Sequence, residues 1–160
     1  MHRFGDNIDT DQLAPGRYMK CAISEIARHC LEAVDPGFAG RVRPGDMIVA
    51  GDNFGAGSSR EQAAAALLEL GIRAVLAKSF ARIFFRNALN LGLPVLVCPT
   101  APEIADGARI RVDPILGQAT ETASGRQHDC EPLPAHLMAM VRDGGLLPHL
   151  EKTLGKSTNG

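Results

Sequence analysis

The chain has 160 residues, 45% hydrophobic and 22% charged, enough for one domain with its own core and no need of disulfides. Seventeen Lys and Arg against 18 Asp and Glu leave a net charge of −1, which excludes a general polyanion-binding surface. Aromatics make up only 4%, with no Trp, so stacking platforms for single-stranded nucleic acid are excluded as well.

In chain order, the first residues lack the apolar stretch of a signal peptide, and no later run is long enough to span a membrane. A cytoplasmic protein with reduced thiols is expected. Residues 1–20 are rich in Gly, Asp, Asn and Pro and read as an ordered polar loop region without strand or helix. Its alternating carboxylates do not fit an EF-hand counted from Asp6, because Asp11 and Arg17 stand where Gly and Glu are needed. They are expected to organise turns and nearby backbone N–H groups.

Apolar residues at helical spacing over 21–31 predict an amphipathic helix, broken at Asp35-Pro36-Gly37. A buried strand follows over 46–51, then a helix over 59–70 ended by Gly71. A second strand (74–77), a second helix (81–91, ended by Gly92) and a third strand (94–98) complete the pattern of parallel βαβ units. Residues 109–112 alternate as a half-buried strand, a weaker strand includes 120–122, and 134–141 reads as a last short helix before Gly144-Gly145. The organisation expected is one domain over 1–154 and a flexible tail over 155–160. Cys21, Cys30, Cys98 and Cys130 are scattered, with no C-x-x-C and no His at zinc spacing, so no cofactor or metal site is expected in this chain.

The chemical centre is Gly55-Ala56-Gly57-Ser58-Ser59-Arg60-Glu61, between the end of a buried strand and the start of a helix. Glycines there let backbone N–H groups converge, and the helix start adds positive potential, so the turn suits an anion. A dinucleotide fingerprint would need Gly in place of Arg60, and a nucleophile elbow on Ser59 would need Gly in place of Glu61. Two readings stay open. Ser58 with Glu61, or Ser59 with Gln62, satisfies a capping box, so the serines could simply close the helix. Alternatively the second serine is free, and Arg60, a cation opposing the helix dipole, is there for an anion. Lys78-Ser79-Phe80-Ala81-Arg82 forms a similar turn, with Ser79 as the expected cap and Arg82 exposed or ion-paired.

These two turns, with Asn87 and Asn90, Asp9-Thr10-Asp11, Pro15-Gly16-Arg17-Tyr18 and Gly144-Gly145-Leu146, resemble the swivel domain of the aconitase superfamily over nearly the whole chain. As a free-standing chain of this length it is similar to the small subunits of the 3-isopropylmalate dehydratase family. The resemblance implies an α/β fold, a three-layer swivelling β/β/α domain with a partly parallel sheet. It implies a hydro-lyase that dehydrates and rehydrates a small 2-hydroxy-carboxylate, active only with a large subunit that carries a [4Fe–4S] cluster. By the same resemblance Ser58 is the catalytic base, Ser59 and Arg60 bind the substrate carboxylate, and Tyr18 and Lys20 belong to the loop that selects the substituent. Met19 and Cys21 could line an alkyl pocket, which favours isopropylmalate, while Lys20 would suit a homoaconitate-type carboxylate. Gln62 stands where the family usually has His, and an amide cannot change charge. The alternative of another class is a non-catalytic anion-binding regulatory domain.

Overall fold

The computed structural model describes residues 1–158. Four short strands, β1 (His2–Arg3), β2 (Met47–Ala50), β3 (Ala74–Ala77) and β4 (Val95–Val97), form one parallel sheet in that order. All of β3 and all but the first residue of β2 are buried. Runs of Val, Leu, Ile and Ala without polar alternation are what strands covered on both faces require.

Three short helices, α1 (Thr10–Leu13), α2 (Ile23–Arg28) and α3 (Phe38–Arg41), lie between β1 and β2. Helix α4 (Glu61–Leu70) connects β2 to β3, and α5 (Arg82–Asn90) connects β3 to β4. Because the strand order steps one way, right-handed crossovers put α4 and α5 on the same face, where α4 packs against both α2 and α5. The buried stripe of α4 is Ala63, Ala64, Ala66 and Leu67, small enough for close approach to its neighbours. Gly71, at φ +94°, ends the helix by donating its N–H to the Leu67 and Leu68 carbonyls.

A separate antiparallel sheet contains β5 (Ile110–Asp113), β6 (Gln118–Glu121) and β7 (Gln127–Asp129), and α6 (Ala135–Arg142) and α7 (Leu146–Thr158) complete the chain. The expected α/β class holds, with the parallel and antiparallel strands sorted into two sheets.

Several local expectations are corrected. Residues 1–20 are not simply loop. His2 and Arg3 pair with Ile48 and Val49, and Asp9 caps α1 through a reciprocal pair of hydrogen bonds with Gln12 (2.7 and 2.9 Å). Elements of two and four residues have no period to detect. The helix expected over 21–31 shrinks to Ile23–Arg28, because Leu31 is buried at φ +60° and donates its N–H to the Gln12 carbonyl. Strand β7 and helices α3 and α7 were not expected. In α7, Pro148 and Gly155 mask the helical signal, although Pro is tolerated in a first turn. Residues 155–158, expected as tail, continue that helix, and the last two residues of the expected tail lie outside the described residues.

Candidate active site

Parallel pairing brings the carboxyl ends of β1, β2 and β3 to one edge, so the segments that follow them, 6–16, 51–60 and 78–81, lie side by side. Backbone hydrogen bonds lock them together. Gly55 N–H donates to Ile8 O (2.6 Å), Thr10 N–H to Ala56 O (2.7 Å), Phe54 N–H to Ser79 O (3.0 Å) and Ala81 N–H to Phe54 O (3.0 Å). Side chains add to this. Asp6 accepts from Asp52 N–H (2.7 Å), and Ser79 Oγ accepts from Asn53 N–H (2.8 Å) while donating to Asp52 (3.2 Å). Ser79 is therefore not a helix cap. Ala81 occupies that place without a side-chain bond, and the Ser79 hydroxyl braces the neighbouring turn instead.

The Gly-Ser-Ser-Arg turn rests on an aromatic floor. Phe54 is fully buried, with its ring 5.3 Å from Phe84 and 6.0 Å from Phe80. Gly55 holds φ +85°, and a Cβ placed there would stand 2.2 Å from the Phe84 ring. Gly55→Ala combines left-handed strain with a clash against a buried ring, and should cost about 2–4 kcal/mol. Chemical denaturation of the variant checks this.

Neither serine caps α4. Arg60 is the N-cap residue and no side chain closes the helix. Ser58 and Ser59 are both exposed. Among the described residues, neither their hydroxyls nor their backbone N–H groups have a hydrogen-bond partner. The capping reading fails, and two hydroxyls and two amides remain available to a ligand.

Arg60 is anchored. Its Nη1 donates to Asp11 at 2.8 Å and to the Ala14 carbonyl at 3.0 Å, and its guanidinium lies against Gly16, where a Cβ would meet Nη2 at 3.5 Å. Asp11 also accepts the Gly16 N–H (3.0 Å). The hydrogen bond from Arg60, then that from Gly16, holds the Asp11 carboxyl below the usual carboxylate range. The carboxylate that offsets a cation at the helix start is thus supplied by the chain itself, 49 residues away. Asp11 was not singled out as a site residue, although its place before Pro15-Gly16 was the available signal.

Tyr18 stacks face to face on His29, with centroids 3.7 Å apart, and His29 is gripped by Glu32 (2.7 Å) and Glu25 (3.2 Å). Chiefly the Glu32 contact raises the His29 pKa. Tyr18 and Met19 are half-buried against the core, whereas Lys20 and Cys21 are exposed. A cavity of about 630 Å³ opens beside this loop, lined by Asp11, Gly16, Tyr18 and Glu32 among others. A larger cavity, about 700 Å³, lies at the opposite edge, by the amino ends of β2, β3 and β4, and includes none of the residues assigned from the sequence. Arg82 is exposed at the first position of α5, and Gln62 is half-buried in the first turn of α4. Among the described residues no three His, Cys, Asp or Glu side chains come together, so these residues do not fit an iron–sulfur cluster.

Fold and site together define an α/β domain with a Gly-Ser-Ser-Arg turn, its two serines exposed, at the carboxyl edge of the parallel sheet. The model of the aconitase C-terminal domain matches residues 7–100. A methanogen homoaconitase small subunit from Methanothermobacter thermautotrophicus is 45% identical over 99% of this chain and 92% of its own. A 3-isopropylmalate dehydratase small subunit from Moorella thermoacetica is 44% identical over 98% and 95%. The crystal structure of a 3-isopropylmalate dehydratase from Methanocaldococcus jannaschii superposes with a TM-score of 0.91 at 43% identity, covering 99% of this chain and 96% of that one. The chain belongs to the aconitase C-terminal domain family, and within it to the small subunits of the 3-isopropylmalate dehydratases and homoaconitases.

Proposed function

We propose that the chain is the small subunit of a cytoplasmic two-subunit hydro-lyase that isomerises a 2-hydroxy dicarboxylate by dehydration and rehydration, with the isopropylmalates of leucine biosynthesis as substrates. The observation that carries this reading is the exposed Ser58-Ser59 pair, whose hydroxyls and amides no described residue pairs with, beside an Arg60 fixed by Asp11. Ser58 takes the proton next to the substrate carboxylate. The alkoxide this requires is stabilised by the neighbouring amides, the helix start and the guanidinium. Ser59 and the remaining donors of Arg60 hold the carboxylate. The Lewis acid for the departing hydroxide is expected from a [4Fe–4S] cluster on the large subunit, which would also close over the exposed serines. No helix among the described residues is long and apolar enough to cross a membrane.

Tyr18 and Lys20 would face the substrate's substituent. The half-buried Tyr18 and Met19 suit an alkyl group, while the homoaconitase relative and the exposed Lys20 favour a carboxylate as the second reading. The purified chain alone should show no dehydratase activity and contain no iron. Combined with its large subunit, it should prefer isopropylmalate over homocitrate in kcat/KM. A preference for homocitrate that Lys20→Met abolishes would establish the second reading, and inactivity on every hydroxy acid in the reconstituted complex would point to an anion-binding regulatory domain.

A further inference from the structure

Beyond β4 the chain runs alongside the segment that follows β7. Glu131 donates its N–H to the Val97 carbonyl at 2.8 Å, and Thr100 Oγ1 lies 2.7 Å from His128 Nδ1. Both contacts belong to one antiparallel register, and in that register Cys98 stands opposite Cys130. Both are free thiols, Cys98 fully buried and Cys130 8% exposed, and the Cys130 thiol donates to the His128 carbonyl at 3.8 Å. Directly opposed Cβ atoms in such a register are about 4.5–5.5 Å apart, and a disulfide needs about 3.5–4.5 Å. A small local adjustment separates the pair from a covalent bond.

We propose that Cys98 and Cys130 form an oxidation site at which hydrogen peroxide converts the two thiols to an intramolecular disulfide, joining the end of β4 in the parallel sheet to the end of β7 in the antiparallel one.

Cys98 is the attacking sulfur. The adjacent Cys130 thiol, the Thr100 hydroxyl (3.9 Å) and the backbone N–H groups of Thr100 and Ala101 stabilise its thiolate and lower its pKa to about 7. The same pairing, together with burial and the neighbouring Asp129 carboxylate, pushes the Cys130 thiol up, so Cys130 keeps its proton until it acts as the resolving group. Other charged and titratable groups close by are Glu131, next to Cys130 in the chain, His128 on β7 and Glu121 on β6, with the carboxylate of the last 3.7 Å from His128 Nε2.

In the first step the Cys98 thiolate forms an S–O bond as the peroxide O–O bond breaks, and the released hydroxide takes a proton to become water. The second step forms the S–S bond as Cys130 attacks the Cys98 sulfenic acid. Its S–O bond breaks, and the departing hydroxide leaves as water with the Cys130 proton. Two thiols lose two electrons and two protons, and one peroxide becomes two waters. The site selects for a small, uncharged oxidant. With Cys98 fully buried and Cys130 only 8% exposed, a bulky disulfide such as oxidised glutathione has little access to either sulfur.

The other two thiols differ. Cys30 is buried, and desolvation alone pushes its thiol far up, while Cys21 is exposed. The full-length chain carrying Cys21→Ser is therefore reduced, desalted, treated with a few equivalents of hydrogen peroxide, denatured and alkylated. The expected result is a mass 2 Da lower before alkylation, one alkylated cysteine (Cys30) in place of three, and a single crosslinked peptide pair containing Cys98 and Cys130. All of these should reverse with dithiothreitol. The reaction should accelerate as pH rises through about 7, oxidised glutathione should react far more slowly, and the oxidised form should melt at a higher temperature because the crosslink restrains the unfolded chain. Three alkylated cysteines after peroxide, a crosslink through Cys30, or over-oxidation of Cys98 without a crosslink would overturn the proposal. These readouts on the otherwise native pair do not depend on whether Cys98→Ser or Cys130→Ser folds.

Discussion

Ser58→Ala should lower kcat of the reconstituted enzyme by about 10²–10⁴-fold, the range for loss of a positioned base, with KM changed little. Stability should be almost unaffected. The Ser58 hydroxyl is exposed and hydrogen-bonds to no described residue, and Arg60 occupies the N-cap. If the serine served only to close the helix, its removal would instead cost about 1 kcal/mol, or about 2–4 °C in Tm for a chain of this size, and leave kcat intact. Measuring kcat and Tm on the same preparation separates the two cases. The expected pattern is a large kinetic loss at constant Tm.

Arg60→Lys should raise KM by about 10–100-fold, with a smaller effect on kcat. A lysine keeps the charge but loses the planar fork that can hold Asp11, the Ala14 carbonyl and a substrate carboxylate at once. The ion pair with Asp11 is partly exposed, Asp11 being 69% accessible, so its loss should change stability only modestly. A fall in Tm with unchanged KM would make Arg60 a purely structural tie between the turn and the 14–16 loop. Titration of the substrate on both enzymes, with melting curves alongside, distinguishes these outcomes.

Where structure was set by local chemistry, the sequence was informative. The apolar runs at β2, β3 and β4, the helical spacing of α4 and α5, and the glycines that end α4 and follow α5 all appear in the fold. The Gly-Ser-Ser-Arg turn was legible for the same reason, since glycine clusters, hydroxyls and a cation before a helix are conspicuous within a few residues. Capping was not legible. Ser58, Ser59 and Ser79 each have the right identity and spacing for a cap, yet none makes that bond. The Ser79 hydroxyl is held instead by Asn53 and Asp52, on the adjacent turn.

By itself the sequence determined the parallel βαβ core, the place of the Gly-Ser-Ser-Arg turn after β2, and membership of a dehydratase small-subunit family. Only the tertiary structure decided that Asp11 is the partner of Arg60, that Tyr18 is fixed by His29, and that Cys98 stands opposite Cys130. The physical reason is range. Periodicity, turn geometry and helix termination are settled by residues within one or two turns of chain. The partner of a guanidinium 49 residues away, or of a thiol 32 residues away, depends on which strands become neighbours and in what register. That choice is made by burial of the whole core, and no short stretch of this sequence encodes it.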